Sequence, residues 1–341
     1  MAARARPAEG ITHAGTITRA ARASTLNAHY TSPTVIGSIY EAVERLGFGG
    51  GRVLEPALGI GHFFGLMPEN MAARSRLTGI ELDPLTTSIA RHLYPDADIR
   101  AQGFESARLV EGSFDLAISN VPFGDYKVSD PRFDERNFLI HDYFFAKGLE
   151  QVRPGGLLVF ITSKGTLDKV NSGLRDYLSD KAEFVGAVRL PNTAFKQNAN
   201  TDVTTDIIFL RKLADGERPG HSAWLKLAAH TNGQGTVFQI NEYFAANPRM
   251  MLGTMALAGT MYRTNDPALI PDGRDLALRC AKRSRHCRRV FIGKKGLMSP
   301  REGRGGDSCA GLCEGKRVHD SRWRDCRAHR RDAYDSDHIG R

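Results

Sequence analysis

The sequence predicts an α/β fold, a mostly parallel sheet with helices on both faces, on three observations. Short apolar runs alternate with stretches of helical period from Pro33 to Leu213. The first of these runs ends in a glycine-rich turn, Ala57-Leu58-Gly59-Ile60-Gly61, which opens a helical stretch. Apolar content of 41% with 25% charged residues over 341 residues is ordinary for one large or two modest globular domains.

Taken in order, residues 1–27 are rich in Ala, Arg and Thr without apolar period and read as a mobile arm. A helix begins at Pro33, keeps its period through Val35, Ile36, Ile39, Tyr40, Val43 and Leu46, and stops at Gly47. Strands are expected at 52–56, 77–82, 99–104, 114–119, 157–162, 185–190 and 206–210. Helical segments are expected near 62–72, 84–93, 138–152 and 166–180. Beyond Leu213 the alternation fades, although 224–229 and 237–243 have the pattern of further strands. Sheets of this type take ligands outside the carboxyl ends of their strands, so functional residues should lie just after strands.

Charge and cysteine divide the chain in two. Residues 1–270 hold 28 Lys+Arg and 28 Asp+Glu, whereas residues 271–341 hold 19 and 10, so the whole net charge of +9 sits in the tail. All five cysteines (Cys280, Cys287, Cys309, Cys313 and Cys326) lie there too, and a cysteine-free body suits a reducing cytoplasm. No apolar run is long enough to span a bilayer, and the first thirty residues lack the apolar region of a secretory signal. Three readings of the tail compete: a zinc site from Cys309, Cys313, Cys326 and His329, a basic nucleic-acid arm, and, preferred, a frame-shifted end. No metal is expected in the body.

The glycine turn is short of a dinucleotide fingerprint, because the third glycine is replaced by Phe64, which argues against NAD or FAD. Twenty-two residues after Gly59 the second strand ends in Glu81, where an acid accepts the two hydroxyls of a ribose. Glu55 adds a second carboxylate at the loop. This pair repels a phosphate but suits a sulfonium cation, which points to S-adenosyl-L-methionine.

The fourth strand runs directly into Asn120-Val121-Pro122-Phe123. An exocyclic aromatic amine is a poor nucleophile because its lone pair is delocalised into the ring. The side-chain carbonyl of Asn120 and the backbone carbonyl of Val121 can each accept one of its N–H groups and stabilise the positive charge that develops. Phe123 can stack on the base. No strong general base is needed, since the proton becomes acidic only after methyl transfer.

With these motifs in hand, residues 24–212 resemble the DNA adenine-N6 methyltransferases. The resemblance is to the type I and Eco57I-like modification group and to the methylase module of large methylase–helicase proteins of mobile elements. It implies a Rossmann-like S-adenosylmethionine-dependent methyltransferase fold over residues 28–213, with a seven-stranded sheet whose last strand is antiparallel. Residues 214–270 then form a short extension. The resemblance also implies that Tyr30 and Thr31 close over the methionine end of the cofactor. Glu55, Pro56, Ala57, Gly59 and Gly61 form its glycine motif, Glu81 holds the ribose, and Phe104 and Glu105 face its adenine. Asn120, Val121, Pro122 and Phe123 form the catalytic motif, with Val121 where the family has a proline, and Phe195 lies near an extruded base.

His141 reads as core rather than as an acid or base. Lys164, Lys169 and Arg189 are candidates for DNA phosphate contacts, with solvated surface as the preferred reading. No target-recognition domain follows Leu210, so DNA specificity is expected from a helicase or target-recognition region outside this chain. The expected function is methyl transfer to the N6 amine of adenine in DNA, in the cytoplasm. The alternatives are an inactive cofactor-binding remnant and a methyltransferase acting on protein glutamine or RNA.

Overall fold

The computed structural model describes residues 31–195, 203–220, 223–260 and 263–273. Tyr30, the arm 1–27, all five cysteines and the zinc grouping lie outside the described residues. The chain enters through helix α1 (Pro33–Arg45), whose Ser32 side chain accepts from the Val35 amide and whose first helical residue is proline. Its buried face is Val35, Ile36, Ile39, Tyr40 and Val43, as the period predicts, and Gly47 ends it at a φ of +96°.

Seven strands follow: β1 (Arg52–Glu55), β2 (Arg76–Glu81), β3 (Asp98–Ala101), β4 (Phe114–Asn120), β5 (Val152–Ser163), β6 (Ala182–Leu190) and β7 (Thr205–Lys212). They form one sheet in the order β3-β2-β1-β4-β5-β7-β6. The first five pair in parallel, and β7 inserts antiparallel between β5 and β6. The order reverses between β1 and β4, so these two strands deliver their ends to one crevice. At the centre, Leu116, Ala117 and Ile118 of β4 and Leu158, Phe160 and Ile161 of β5 are wholly buried. Their near-continuous apolar runs reflect cover on both faces.

Between the strands lie α2 (His62–Gly65), α3 (Glu69–Ala72), α4 (Pro84–Leu93), α5 (Ile140–Gln151), α6 (Gly165–Asp168) and α7 (Gly173–Ser179). Two expected helices are each broken in two. The 62–72 segment breaks because Pro68, which has no N–H, takes the N-cap position of α3. The 166–180 segment breaks at Lys169, which is extended, and the Asn171 side chain accepts from the Gly173 amide to start the second piece. The expected strand at 99–104 ends early, at Ala101, where the Ser106 amide closes a turn on the Gly103 carbonyl.

The extra strands expected after residue 213 exist but do not join the main sheet. They are β8 (Leu227–Thr231) and β9 (Val237–Asn241), an antiparallel pair of their own, followed by the short helix α8 (Glu242–Ala246). A second hairpin, β10 (Thr254–Thr260) with β11 (Arg263–Ile270), had no period-2 signal strong enough to be expected. The Trp224 ring stacks on Phe184 of β6 at 4.7 Å, which fixes this extension to the sheet.

Candidate active site

The glycine turn is held from two sides. The Leu58 amide donates to the Ile80 carbonyl at 2.9 Å, and the Gly59 amide donates to Glu81 Oε2 at 2.8 Å. The other oxygen of Glu81 accepts from the Asp83 amide at 2.8 Å. A carboxylate at the end of β2 therefore braces the turn at the end of β1 while remaining half-buried at the crevice. Burial raises its pKa, and the backbone donors Asp83 and Gly59 hold that rise back.

Gly61 sits at a φ of +83° and starts α2. A Cβ there would lie 2.4 Å from the Tyr94 ring, whose hydroxyl donates to the Gly61 carbonyl at 2.7 Å. Gly59, at +56°, faces open space. One glycine is thus required by packing as well as by its dihedral, the other by its dihedral alone.

Glu55 ends β1 and is 2% exposed. Its Oε2 is buried without a hydrogen-bond partner among the described residues. Burial, then the charge of Glu81, drives its pKa well above the ordinary carboxylate value. A buried acceptor with no donor fits a ligand that brings a donor or positive charge into the crevice. Thr31, at the foot of α1, is also buried, and Pro56 and Ala57 continue the turn.

The neighbouring strand supplies the second half. Val53 and Leu54 of β1 register with Leu116 and Ala117 of β4. Beyond that pairing the Ser119 hydroxyl donates to the Ala57 carbonyl at 3.2 Å. Asn120 is therefore adjacent to the residue that ties β4 to the glycine turn. The Val121 amide donates to the Ile161 carbonyl at 3.1 Å, and its side chain is buried. This fixes the backbone although valine stands where the resembled motif has a proline. Pro122 and Phe123 are half-exposed at the crevice.

Other expected residues are placed differently. Phe104 is 2% exposed and packs against Phe144 at 5.0 Å, so its ring is core and offers no open face; Glu105 beside it is half-buried. Phe195 is likewise buried in the apolar core. Lys164, Lys169 and Arg189 are all engaged in internal ion pairs, the first two half-buried rather than freely solvated. Lys164 pairs with Asp266, Lys169 with Asp142, and Arg189, fully buried, binds both Asp168 and Asp206 through four hydrogen bonds. His141 is buried 3.5 Å from Asp142, and burial lowers its pKa, which favours the neutral ring.

Two features were missed in the sequence. Leu82, next to Glu81, is 72% exposed, a bare apolar side chain at the crevice rim able to cover an aromatic ring. Lys147 is buried in α5 against an Asp130–Tyr143 pair. Among the described residues there is no cluster of three or more His, Cys, Asp or Glu able to hold a metal, and no helix long and apolar enough to cross a membrane.

No family model matches the chain. It is 29% identical over 191 residues to the defense against restriction protein B of Escherichia phage P1, which covers 54% of this chain but 8% of that protein. It is 25% identical over 200 residues to the rRNA N(6)-adenosine-methyltransferase metl-5 of Caenorhabditis elegans, covering 55% of this chain and 89% of that one. Among solved structures it resembles a modification subunit assigned to a type I restriction enzyme of Vibrio vulnificus YJ016. The TM-score is 0.50 at 15% identity, over 68% of this chain and 63% of that one. The expected Rossmann-like methyltransferase fold is the fold observed.

Proposed function

We propose that this chain is an S-adenosyl-L-methionine-dependent methyltransferase acting on the exocyclic N6 amine of adenine in DNA. The observation that carries the reading is the convergence of Glu55, the Gly59–Gly61 turn and Glu81 with Asn120 at the ends of three adjacent strands, β2, β1 and β4. The cofactor, when bound, supplies an electrophilic methyl group. Glu81 presents acceptor oxygens to the ribose hydroxyls, and the buried Glu55 carboxyl meets the positively charged end of the ligand. Leu82 covers an aromatic face. The turn brings backbone rather than side chains against the ligand, as its glycines allow.

On the acceptor side, the Asn120 side-chain carbonyl and the Val121 backbone carbonyl accept the two amine hydrogens. This localises the nitrogen lone pair and stabilises the charge developing there. Phe123 stacks on the base and so holds its plane. With the cofactor bound, the amine nitrogen held by Asn120 and Val121 would take the methyl group as its bond to sulfur breaks, and would then release one proton to solvent.

DNA recognition is assigned to a partner or to a further region. Residues 1–270 carry no net charge, and Lys164, Lys169 and Arg189 are held in internal ion pairs. A balanced charge over these residues supplies little of the phosphate neutralisation that a duplex requires, and base extrusion is assigned to the same partner or region. The similarity to the phage protein, of which this chain spans 8%, supports a methylase portion of a larger mobile-element protein.

A second reading, adenosine in RNA, is favoured by the likeness to the C. elegans rRNA methyltransferase. Transfer of labelled methyl from S-adenosylmethionine to adenine-containing DNA and to RNA separates the two. Asn120→Ala should reduce transfer about 100-fold or more while leaving cofactor affinity unchanged. Cofactor binding without transfer to either nucleic acid would leave an inactive remnant.

A further inference from the structure

Lys147 lies in the middle of α5 with its ammonium buried, and it donates to two loops that are far apart in sequence. One contact is to the Glu105 carbonyl at 3.0 Å, in the loop after β3. That loop is in turn joined to the cofactor side, because the Gln102 amide donates to the Glu81 carbonyl at 2.9 Å. The other contact is to Asp130 Oδ2 at 3.1 Å, in the loop that begins at Val121 and runs to α5.

Asp130 organises its own loop. Its Oδ2 also accepts from the Tyr143 hydroxyl at 2.8 Å, and its Oδ1 accepts from the Arg132 amide at 3.2 Å. Its backbone carbonyl takes the amides of Phe133 and Asp134, and its own amide donates to Asp134 Oδ1 at 2.8 Å. The lysine stem is enclosed by rings: its ammonium lies 5.1 Å from the Phe104 centroid and 5.7 Å from that of Tyr143. Such enclosure leaves the ammonium little freedom to seek other partners.

We propose that Lys147 is a positioning residue that couples the loop on the cofactor side to the loop carrying the Asn120–Phe123 motif, so that ordering one orders the other. The proposal rests on the cofactor and acceptor assignment above for its functional meaning, but the mechanical link is a property of the ligand-free chain. Removing the ammonium takes away the common donor of the Asp130 carboxylate and the Glu105 carbonyl, so the two loops lose this link to one another. Arginine in its place keeps a charged donor able to reach both groups.

Amide hydrogen exchange tests the link directly. In ligand-free Lys147→Met, amides at 102–107 and 130–137 should exchange at least about tenfold faster together, while the central strand 157–161 stays as protected as in the parent. Lys147→Arg should restore most of the protection. Asp130→Asn gives the same readout from the other side of the contact should Lys147→Met fail to fold. Added S-adenosylmethionine should protect 130–137 in the parent, and in Lys147→Met should protect only the residues around Gly59 and Glu81. Methyl transfer should then lose kcat with little change in cofactor affinity. Loosening of a single loop, or uniform loosening of the whole sheet, overturns the coupling. Failure of the parent to bind S-adenosylmethionine instead overturns the cofactor assignment, and the ligand-free exchange comparison still decides the coupling.

Discussion

Glu81 illustrates how a proposed site residue is also a structural one. Its two carboxylate oxygens accept hydrogen bonds from the Gly59 and Asp83 amides. Glu81→Ala should lower stability by about 1–3 kcal/mol, measured by urea unfolding, and weaken S-adenosylmethionine binding about tenfold or more by calorimetry. Gly61→Ala should be worse for the fold. The substitution forces an L side chain to a φ of +83° and drives a methyl into the Tyr94 ring, so a loss of about 2 kcal/mol or more is expected in the same unfolding experiment. The positions of both residues were legible in the sequence because turn glycines and strand-end acids have chemical reasons to be where they are. The Tyr94 contact was not, because it joins residues 33 apart.

At the scale of elements, the buried Arg189 is the joint of the C-terminal half. It ties β6 to β7 through Asp206 and to α6 through Asp168, which also accepts from the Asn241 amide at the end of β9. Its guanidinium stacks on Phe244 of α8 at 4.3 Å. Arg189→Met leaves two carboxylates in the interior without their counter-ion and should cost about 3–5 kcal/mol, read as a lower urea midpoint. Adding Asp206→Leu to that variant should recover part of the loss, since it removes one of the stranded charges. Sequence reasoning placed Arg189 on the surface because charged residues usually lie there. Its two acidic partners come from 21 and 17 residues away, and no local pattern announces them.

The whole molecule responds to pH through its buried carboxyl groups, and the directions differ. Glu55 has its folded pKa raised above the unfolded 4.5, by burial first and the charge of Glu81 second. Its contribution is fully present below 4.5 and is lost as pH rises through the folded value, so it destabilises the fold at neutral pH. Glu81 acts in the same direction. Asp130 is the reverse. Burial raises its pKa, but hydrogen bonds from Tyr143 and Lys147 outweigh it and leave the carboxylate below its ordinary value, so its contribution is lost on acidification. Glu55→Gln should therefore gain on the parent in thermal midpoint as pH is raised from 5 to 8, with the two converging at the acid end. A constant offset across that range would refute the raised pKa of this carboxyl.

The order of strands and helices, the glycine turn, the strand-end acids and the Asn120–Phe123 motif were set by residues close together in the chain, where periodicity, turn chemistry and spacing act. Tertiary structure alone decided which way each side chain faced. It turned Phe104 and Phe195 into the core, enclosed Lys147 between two loops and set Arg189 between two aspartates. These outcomes depend on which distant segments meet as the sheet closes, and burial and counter-charge are properties of that meeting rather than of any local stretch of chain.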